Sequence, residues 1–173
     1  MLRDILTPAD CARCRKCCTF EKYEVWETPL IPQELKEKIE QRFPSVHFIK
    51  KGETGAYIFN MSEEWDDAAE CFSCPALDPK KGCILGELKP FDCDTWPYRI
   101  MDIQGQLVIG LSSLCPELYA KPLEELVNEL ENGLADKIYS YAEKYPQVVR
   151  PYERGHIILN VKVMKSEDNQ TLI

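Results

Sequence analysis

The sequence predicts an α+β fold in which a small antiparallel sheet packs against two main helices. Two hairpin patterns and a final strand predict the sheet, and two amphipathic stretches predict the helices. The cysteine-rich segments follow neither periodicity, so we expect irregular metal-binding loops gathered at one side of the molecule. The chain has 173 residues with no repeat or linker, and it is expected to form a single domain over residues 1–173.

Two hairpins are predicted from pairs of apolar runs that flank a glycine-containing turn. The second hairpin has the stronger pattern, because its two runs are joined by the dipeptide Gln104-Gly105. A run near the end of the chain predicts the last strand. The predicted strands are 46–49 with 57–59, 98–103 with 106–111, 156–163, and a short strand at Tyr23–Trp26.

Two helices are predicted from apolar residues that recur at helical spacing. The first covers Pro32–Phe43 and ends before Pro44, because a proline disfavours helical backbone in the residue before it. The longer one covers Leu123–Tyr145, in which Gly133 is expected to weaken the helix slightly, by about 1 kcal/mol relative to alanine. Two smaller elements are a helical turn from Thr7-Pro8 into the first cysteines and a loop or short helix at 62–70.

Composition and charge exclude several classes of function. The net charge of −8 and the pI of about 4.9 argue against binding to nucleic-acid phosphates or to an anionic membrane surface. No apolar run reaches the roughly 20 residues of a membrane-spanning helix, and Met1–Asp10 lack the apolar core of a secretory signal. We therefore expect a cytoplasmic protein whose partner is another protein.

Nine cysteines in a reducing compartment point to metal ligands rather than to disulfides. Four of them lie within residues 11–18, in the pattern Cys-x2-Cys-x2-Cys-Cys. Thiolates suit zinc or iron–sulfur clusters and do not suit magnesium or calcium. The predicted metal ligands are Cys11, Cys14, Cys17, Cys18, Cys74, Cys83, Cys93 and Cys115.

The spacing of the first three cysteines allows them to ligate three irons of a cubane, with a fourth ligand from a remote part of the chain. Cys18 is expected to serve a second site, because adjacent side chains point in different directions. Exchanging Cys115 for Cys93 satisfies the same spacing arguments. The predicted partition is Cys11, Cys14, Cys17 and Cys115 in one centre, and Cys18, Cys74, Cys83 and Cys93 in the other.

The remaining candidate residues favour structural interpretations. Cys71 is expected to be a small buried hydrophobic residue. His47 and His156 are expected to be ordinary strand residues, and Trp96 beside Cys93 to shield the centre from water. No Ser-His-Asp set and no distinctive carboxylate pair occurs, so no catalytic residue is assigned.

The cysteine pattern resembles the CxxCxxCC (YkgJ-type) family of zinc- or iron-chelating proteins, over residues 11–116. The chain departs from the family pattern at Arg15, where the family often has glycine, and at Lys89 and Asp94, where it has arginine. The departures concern any role of the basic residues and leave the metal ligands intact. The matching motifs are Cys11-x2-Cys14-x2-Cys17-Cys18, Cys74-Pro75-Ala76-Leu77, Cys83-Ile84, Lys89-Pro90, Cys93, Trp96-Pro97 and Cys115-Pro116.

The resemblance implies a metal-binding protein and assigns it no reaction. A related region occurs in bacterial flagellin lysine N-methylases, but this chain has no strand–GxGxxG–helix fingerprint for a nucleotide. The leading hypothesis is a [4Fe–4S] protein that acts as an accessory or electron-transfer factor. The alternatives are a structural zinc module and a component of a protein-modifying enzyme.

Overall fold

The structure, a computed structural model, describes residues 8–20, 28–52, 55–61, 65–67, 70–78, 80–118 and 121–162. Its helices and small sheets confirm the α+β class. Within these residues, no helix is long and apolar enough to cross a membrane. The helices are α1 (Pro8–Cys14), α2 (Gln33–Arg42), α3 (Phe91–Thr95), α4 (Leu123–Glu129) and α5 (Ala135–Lys144). The strands are β1 (Thr19–Phe20), β2 (Phe48–Lys51), β3 (Ala56–Phe59), β4 (Trp65–Asp66), β5 (Cys71–Ser73), β6 (Leu77–Asp78), β7 (Gly82–Cys83), β8 (Tyr98–Ile103), β9 (Gln106–Leu111), β10 (Arg150–Pro151) and β11 (Ile157–Val161).

The largest sheet has four strands in the order β10-β8-β9-β11. The β8–β9 hairpin has the predicted boundaries, with Ile103 paired to Gln106. Its turn residues Gln104 and Gly105 have φ values of 54° and 89°, the left-handed pair that suits the twist of a two-residue hairpin. The predicted last strand is β11, which pairs antiparallel with β9.

The helix prediction is confirmed for α2 and is partly wrong for the longer helix. Pro32 caps α2 and Phe43 follows its last residue. The longer helix is interrupted at Asn132 and Gly133, where φ of Gly133 is 99°. A left-handed glycine ends a helical turn at little steric cost, so Gly133 separates α4 from α5 instead of only weakening one helix. The predicted apolar stripe still faces the core, since Leu126, Leu130, Leu134 and Ile138 are buried.

The two predicted hairpins lie in two separate sheets instead of the single sheet that was expected. The buried apolar residues form two clusters. The first cluster joins the four-stranded sheet to α4 and α5, and Tyr98 Oη donates a buried hydrogen bond of 2.9 Å to the carbonyl of Leu126. The second cluster contains Ile39 of α2 and Phe59 of β3. The β2–β3 hairpin is a separate two-stranded sheet. Phe59 of β3 packs with α2 in the second cluster, whereas Ala56 and Ile58 of β3 are buried in the first.

The cysteine-bearing segments are more regular than predicted. Strand β5 pairs antiparallel with both β1 and β4, and β6 pairs with β7. Ala76 and Leu85 are buried in the second hydrophobic cluster. Their burial stabilises a cysteine-rich stretch for which irregular loops were predicted. Strand β4 also corrects the loop or helix expected at 62–70. The short strand predicted at Tyr23–Trp26 lies outside the described residues.

Candidate metal centre

A cavity of about 280 Å³ lies where the two hydrophobic clusters meet. Phe59 and Leu85 of the second cluster line it, as does Trp96, which packs against the first. The chain brings cysteines to this cavity from α1 and the turn after it, from the loop after β5, from β7, from α3 and from the loop after β9. Those lining it are Cys14, Cys17, Cys18, Cys74, Cys83, Cys93 and Cys115.

The first motif is shaped by a helix end at Cys14. Arg15 adopts a left-handed conformation with φ of 56°, and its Nε donates a hydrogen bond of 2.8 Å to the carbonyl of Ala12. A 3-10 turn over Lys16–Cys18 follows, in which the Cys18 amide donates to the Arg15 carbonyl at 2.8 Å. Glycine adopts the backbone conformation of Arg15 most readily, and this is the position at which the resembled family often has glycine.

The second group of cysteines is tied to the first through the backbone. The Cys74 amide donates a hydrogen bond of 2.8 Å to the Cys18 carbonyl, at the end of the β1–β5 pairing. Gly82, next to Cys83, has φ of 79°, and a side chain there would put its first carbon 3.2 Å from Cβ of Ala12. Glycine thus allows β7 to pack closely on α1, which brings Cys83 to the cavity.

The last two cysteines come from short elements on either side of the β8–β9 hairpin. Cys93 lies in α3, where its amide donates to the Pro90 carbonyl at 2.9 Å. Cys115 is buried and its carbonyl accepts the amide of Leu118. Lys89 also lines the cavity and is 3.6 Å from Asp94. Two of the positions that depart from the family pattern therefore form an ion pair at the cavity wall.

Five of the seven thiols that line the cavity have perturbed pKa values. A hydrogen bond between the side chains of Cys17 and Cys18 lowers the pKa of Cys17 to about 7 and raises the pKa of Cys18. Burial raises the pKa of Cys93 and, to about 11, the pKa of Cys115. Most of these thiols keep their protons at neutral pH in the metal-free protein, so a metal must displace protons to bind.

A buried cluster of three charged residues adjoins the cysteines. Arg150 Nη2 donates to Asp92 Oδ2 at 2.7 Å, and the Leu30 amide donates to the same oxygen at 2.9 Å. Arg99 Nη1 is 3.4 Å from that oxygen, and the Arg99 guanidinium lies over the Trp96 ring at 4.6 Å. Burial opposes the charge of Asp92, but the two arginines outweigh it and lower the pKa of the carboxyl.

A second, much smaller cavity of about 10 Å³ lies between this charged cluster and the thiols. Cys17, Cys93, Trp96 and Arg99 are among its lining residues. Burial lowers the pKa of Arg99 to about 10, whereas the charges of Asp92, Cys93 and Cys17 act in the opposite direction. Sequence reasoning missed the burial of Arg99 beside the cysteines. The available signal was the pair of charges flanking Cys93 and the arginine two residues after Trp96-Pro97.

The other candidate residues lie apart from the cavity or are not fully described. Cys11 belongs to α1, but its side chain lies outside the described part of the structure. Cys71 is buried with 8% exposure and is not among the lining residues. His47 is exposed and directly precedes β2, and His156 directly precedes β11. Neither histidine lines the cavity, so the cavity offers sulfur as its main donor.

The two predicted ligand sets share this one cavity. Cys14, Cys17 and Cys115 of the first set line it together with all four cysteines of the second set. Among the described residues, no group of three or more cysteine, histidine, aspartate or glutamate side chains is arranged to hold a single metal ion. The donor set nevertheless fits the chemistry of a thiolate-ligated centre, because seven soft sulfur ligands line one cavity.

Comparisons with protein-family models, with curated proteins and with solved structures found no match to this chain. The resemblance to the CxxCxxCC family therefore rests on the motif residues themselves.

Proposed function

We propose that this protein binds a polynuclear iron–sulfur centre in the seven-cysteine cavity and acts as an accessory or electron-transfer factor. The observation that carries the proposal is the convergence of seven cysteine side chains from distant parts of the chain on one cavity of about 280 Å³. A mononuclear zinc site takes four ligands. Seven thiols around one space exceed that number, and they also exceed the four cysteines that a single [2Fe–2S] or [4Fe–4S] cluster takes. They suit a centre that contains several metal atoms.

The walls of the cavity support the same proposal. Phe20, Phe59, Leu85 and Trp96 line it, and an apolar wall limits access of water, which tunes the potential of a cluster. Four basic and two acidic side chains line the cavity. The excess of positive charge partly neutralises the negative charge of bound thiolates. These charged lining residues are Arg15, Lys16, Lys81, Lys89, Asp94 and Glu117.

The shared cavity also bears on how the ligands are divided. The sequence assigned them to two centres, whereas the cavity joins seven of the eight predicted ligands. We propose that these seven act as one ligand set and that Cys71 takes no part. None of the cysteines whose side chains are described forms a disulfide, and the proposal needs a reducing compartment such as the cytoplasm.

The test is anaerobic purification followed by iron, sulfide and zinc analysis. The expected result is a brown protein with broad visible absorption and equimolar iron and sulfide. Colourless protein with stoichiometric zinc contradicts the proposal and favours the structural zinc module. The Cys71→Ser variant is the matched control for Cys93→Ser: both remove a buried or half-buried thiol, but only the second is expected to lose iron.

A protein-modifying enzyme is the second candidate. The observation that favours it is that the cavity is larger than four thiolates and one ion require, which leaves room beside a metal for a substrate group. Under this alternative, the metal-loaded protein should transfer a group to a protein partner. Electron exchange with a redox partner and no modification of any co-purified protein would support the accessory role instead.

A further inference from the structure

Arg99 is the buried charge in this protein that its described surroundings compensate least. It is 6% exposed, and its Nη1 has no hydrogen-bond partner among the described residues. An arginine stays protonated in proteins, and a buried charged donor without a partner is destabilising. Such an atom in a native structure calls for a ligand or another explanation.

The neighbouring carboxylate does not balance this charge. Asp92 Oδ2 is 2.7 Å from Arg150 and 3.4 Å from Arg99, and the same oxygen also accepts the Leu30 amide. One carboxylate thus serves two guanidinium groups, and the three side chains together keep one net positive charge. Each of these side chains is at most 6% exposed, so water screens that charge weakly.

The space next to Arg99 leads to the thiols. The small cavity lined by Arg99 is also lined by Cys17 and Cys93, and both of these cysteines line the large cavity as well. Trp96 holds the guanidinium plane from one side, at 4.6 Å from its ring centre. Arg99 and the two cysteines therefore line the same small cavity.

We propose that Arg99 is a positioning residue that donates a hydrogen bond to the thiolate sulfur of Cys17 or Cys93 when these bind metal. This inference rests on the proposed metal centre and deepens it, because it assigns the centre a net negative charge. The buried positive charge then stabilises an anionic, thiolate-ligated centre and disfavours a neutral one. Outer groups of this kind typically change metal affinity by about 10–100-fold.

The test compares Zn²⁺ affinity, measured by chelator competition, in wild type and in Arg99→Met, Arg99→Gln and Arg99→Lys variants. Zinc is the probe because thiolates bind it without cluster assembly. We expect Arg99→Met to bind zinc about 10–100-fold more weakly, with a smaller loss for Arg99→Lys, which keeps the charge. Arg154→Met is the matched control, since Arg154 is exposed and does not line either cavity.

A second measurement is the midpoint potential of the cluster-loaded protein, which a merely structural role would not move. Loss of the positive charge should shift the potential to a more negative value, because reduction adds negative charge. Wild-type affinity and potential in Arg99→Met overturn the inference. If Arg99→Met shows no cooperative melting, equal zinc affinity of the Gln and Lys variants overturns it. Wild-type protein that assembles no iron–sulfur cluster instead refutes the proposed function, whatever its zinc affinity.

Discussion

The cysteine-bearing residues 8–20, 70–78, 80–95 and 112–118 form what we call the cysteine layer, and strands β8 to β11 form the C-terminal sheet. The two regions differ in the interactions that stabilise them. The β8–β9 hairpin has two strands of six residues each, and its core includes fully buried Tyr98, Ile109 and Leu130. The cysteine layer is made of strands of two or three residues, such as β5 and β7. Apolar burial explains the order of the sheet. In the cysteine layer, Phe20, Ala76 and Leu85 supply part of such burial, and the proposed metal centre would add to it.

The largest expected effect separates these two regions by metal removal. Chelation should unfold the segment between Cys71 and Pro97 while the β8–β9 hairpin stays folded, because bound metal contributes on the order of 10 kcal/mol to a structural site. Limited proteolysis with mass spectrometry of the fragments measures this. The first cuts in the metal-free protein should fall between Cys71 and Pro97. Equal protease resistance of the metal-free and metal-loaded proteins would falsify the idea that metal stabilises this segment.

Single Cys→Ser replacements test whether the cysteine layer is one unit. Since seven thiols share one cavity, Cys83→Ser and Cys115→Ser should both lose iron from the same centre, by at least half of the wild-type content. Metal counting on folded protein measures this. Selective loss of one metal by Cys83→Ser and of another by Cys115→Ser would restore the two-centre partition. Cys71→Ser should keep the full metal content.

A core substitution tests the other side of the comparison. Leu134 is 2% exposed in the cluster beneath the sheet, and Leu134→Ala should destabilise the protein by about 2–5 kcal/mol. Urea unfolding, followed by a signal from the C-terminal sheet, should show the same decrease in the free energy of unfolding with and without metal. Leu123→Ala is the control, since Leu123 is 52% exposed and should change the stability little. A loss that appears only in the metal-free protein would show that the two regions depend on each other.

The stability of the metal-free protein and its affinity for metal should depend on pH with opposite signs. Burial raises the pKa of Cys115 from 9.0 to about 11, so its contribution to the stability of the metal-free protein is present below pH 9 and is lost as the pH rises towards 11. Metal affinity should instead rise with pH, by about tenfold per unit for each proton released. Thermal melts and chelator competition across this pH range measure the two trends. If the stability of the metal-free protein instead rose with pH, as the metal affinity does, the burial of Cys115 would not control that stability.

The sequence specified the C-terminal region better than the cysteine layer, for a physical reason. The Gln104-Gly105 turn and the alternating strands beside it are local signals, and the observed hairpin has the predicted ends. The break at Gly133 was less predictable, because a glycine inside an apolar stripe is compatible with a continuous helix. The placement of β2–β3 depends on packing against α2, which no local pattern encodes.

The cysteine ligands were recognisable from spacing, but their common cavity was not. It depends on long-range contacts such as the Cys74–Cys18 backbone hydrogen bond and the approach of Gly82 to Ala12. The buried charges of Asp92, Arg99 and Arg150 were missed for the same reason, since Arg150 is 58 residues from Asp92 along the chain. Pairwise contacts of this kind have no periodicity that a single sequence displays.

The smallest expected effect concerns Arg15, where the cysteine layer depends on backbone conformation rather than on metal. Its φ of 56° is costly for a residue with a side chain, by about 1–2 kcal/mol, and its hydrogen bond to the Ala12 carbonyl returns about 0.5–1.5 kcal/mol. Arg15→Gly relieves the backbone strain and loses the hydrogen bond. The free energy of unfolding of this variant should therefore stay within about 1 kcal/mol of wild type. Arg15→Ala keeps the strain and loses the bond, and it should be less stable than Arg15→Gly by about 1 kcal/mol. Thermal unfolding of the metal-loaded variants ranks the two, and the reverse order would mean that Arg15 does not hold the left-handed turn between Cys14 and Cys17.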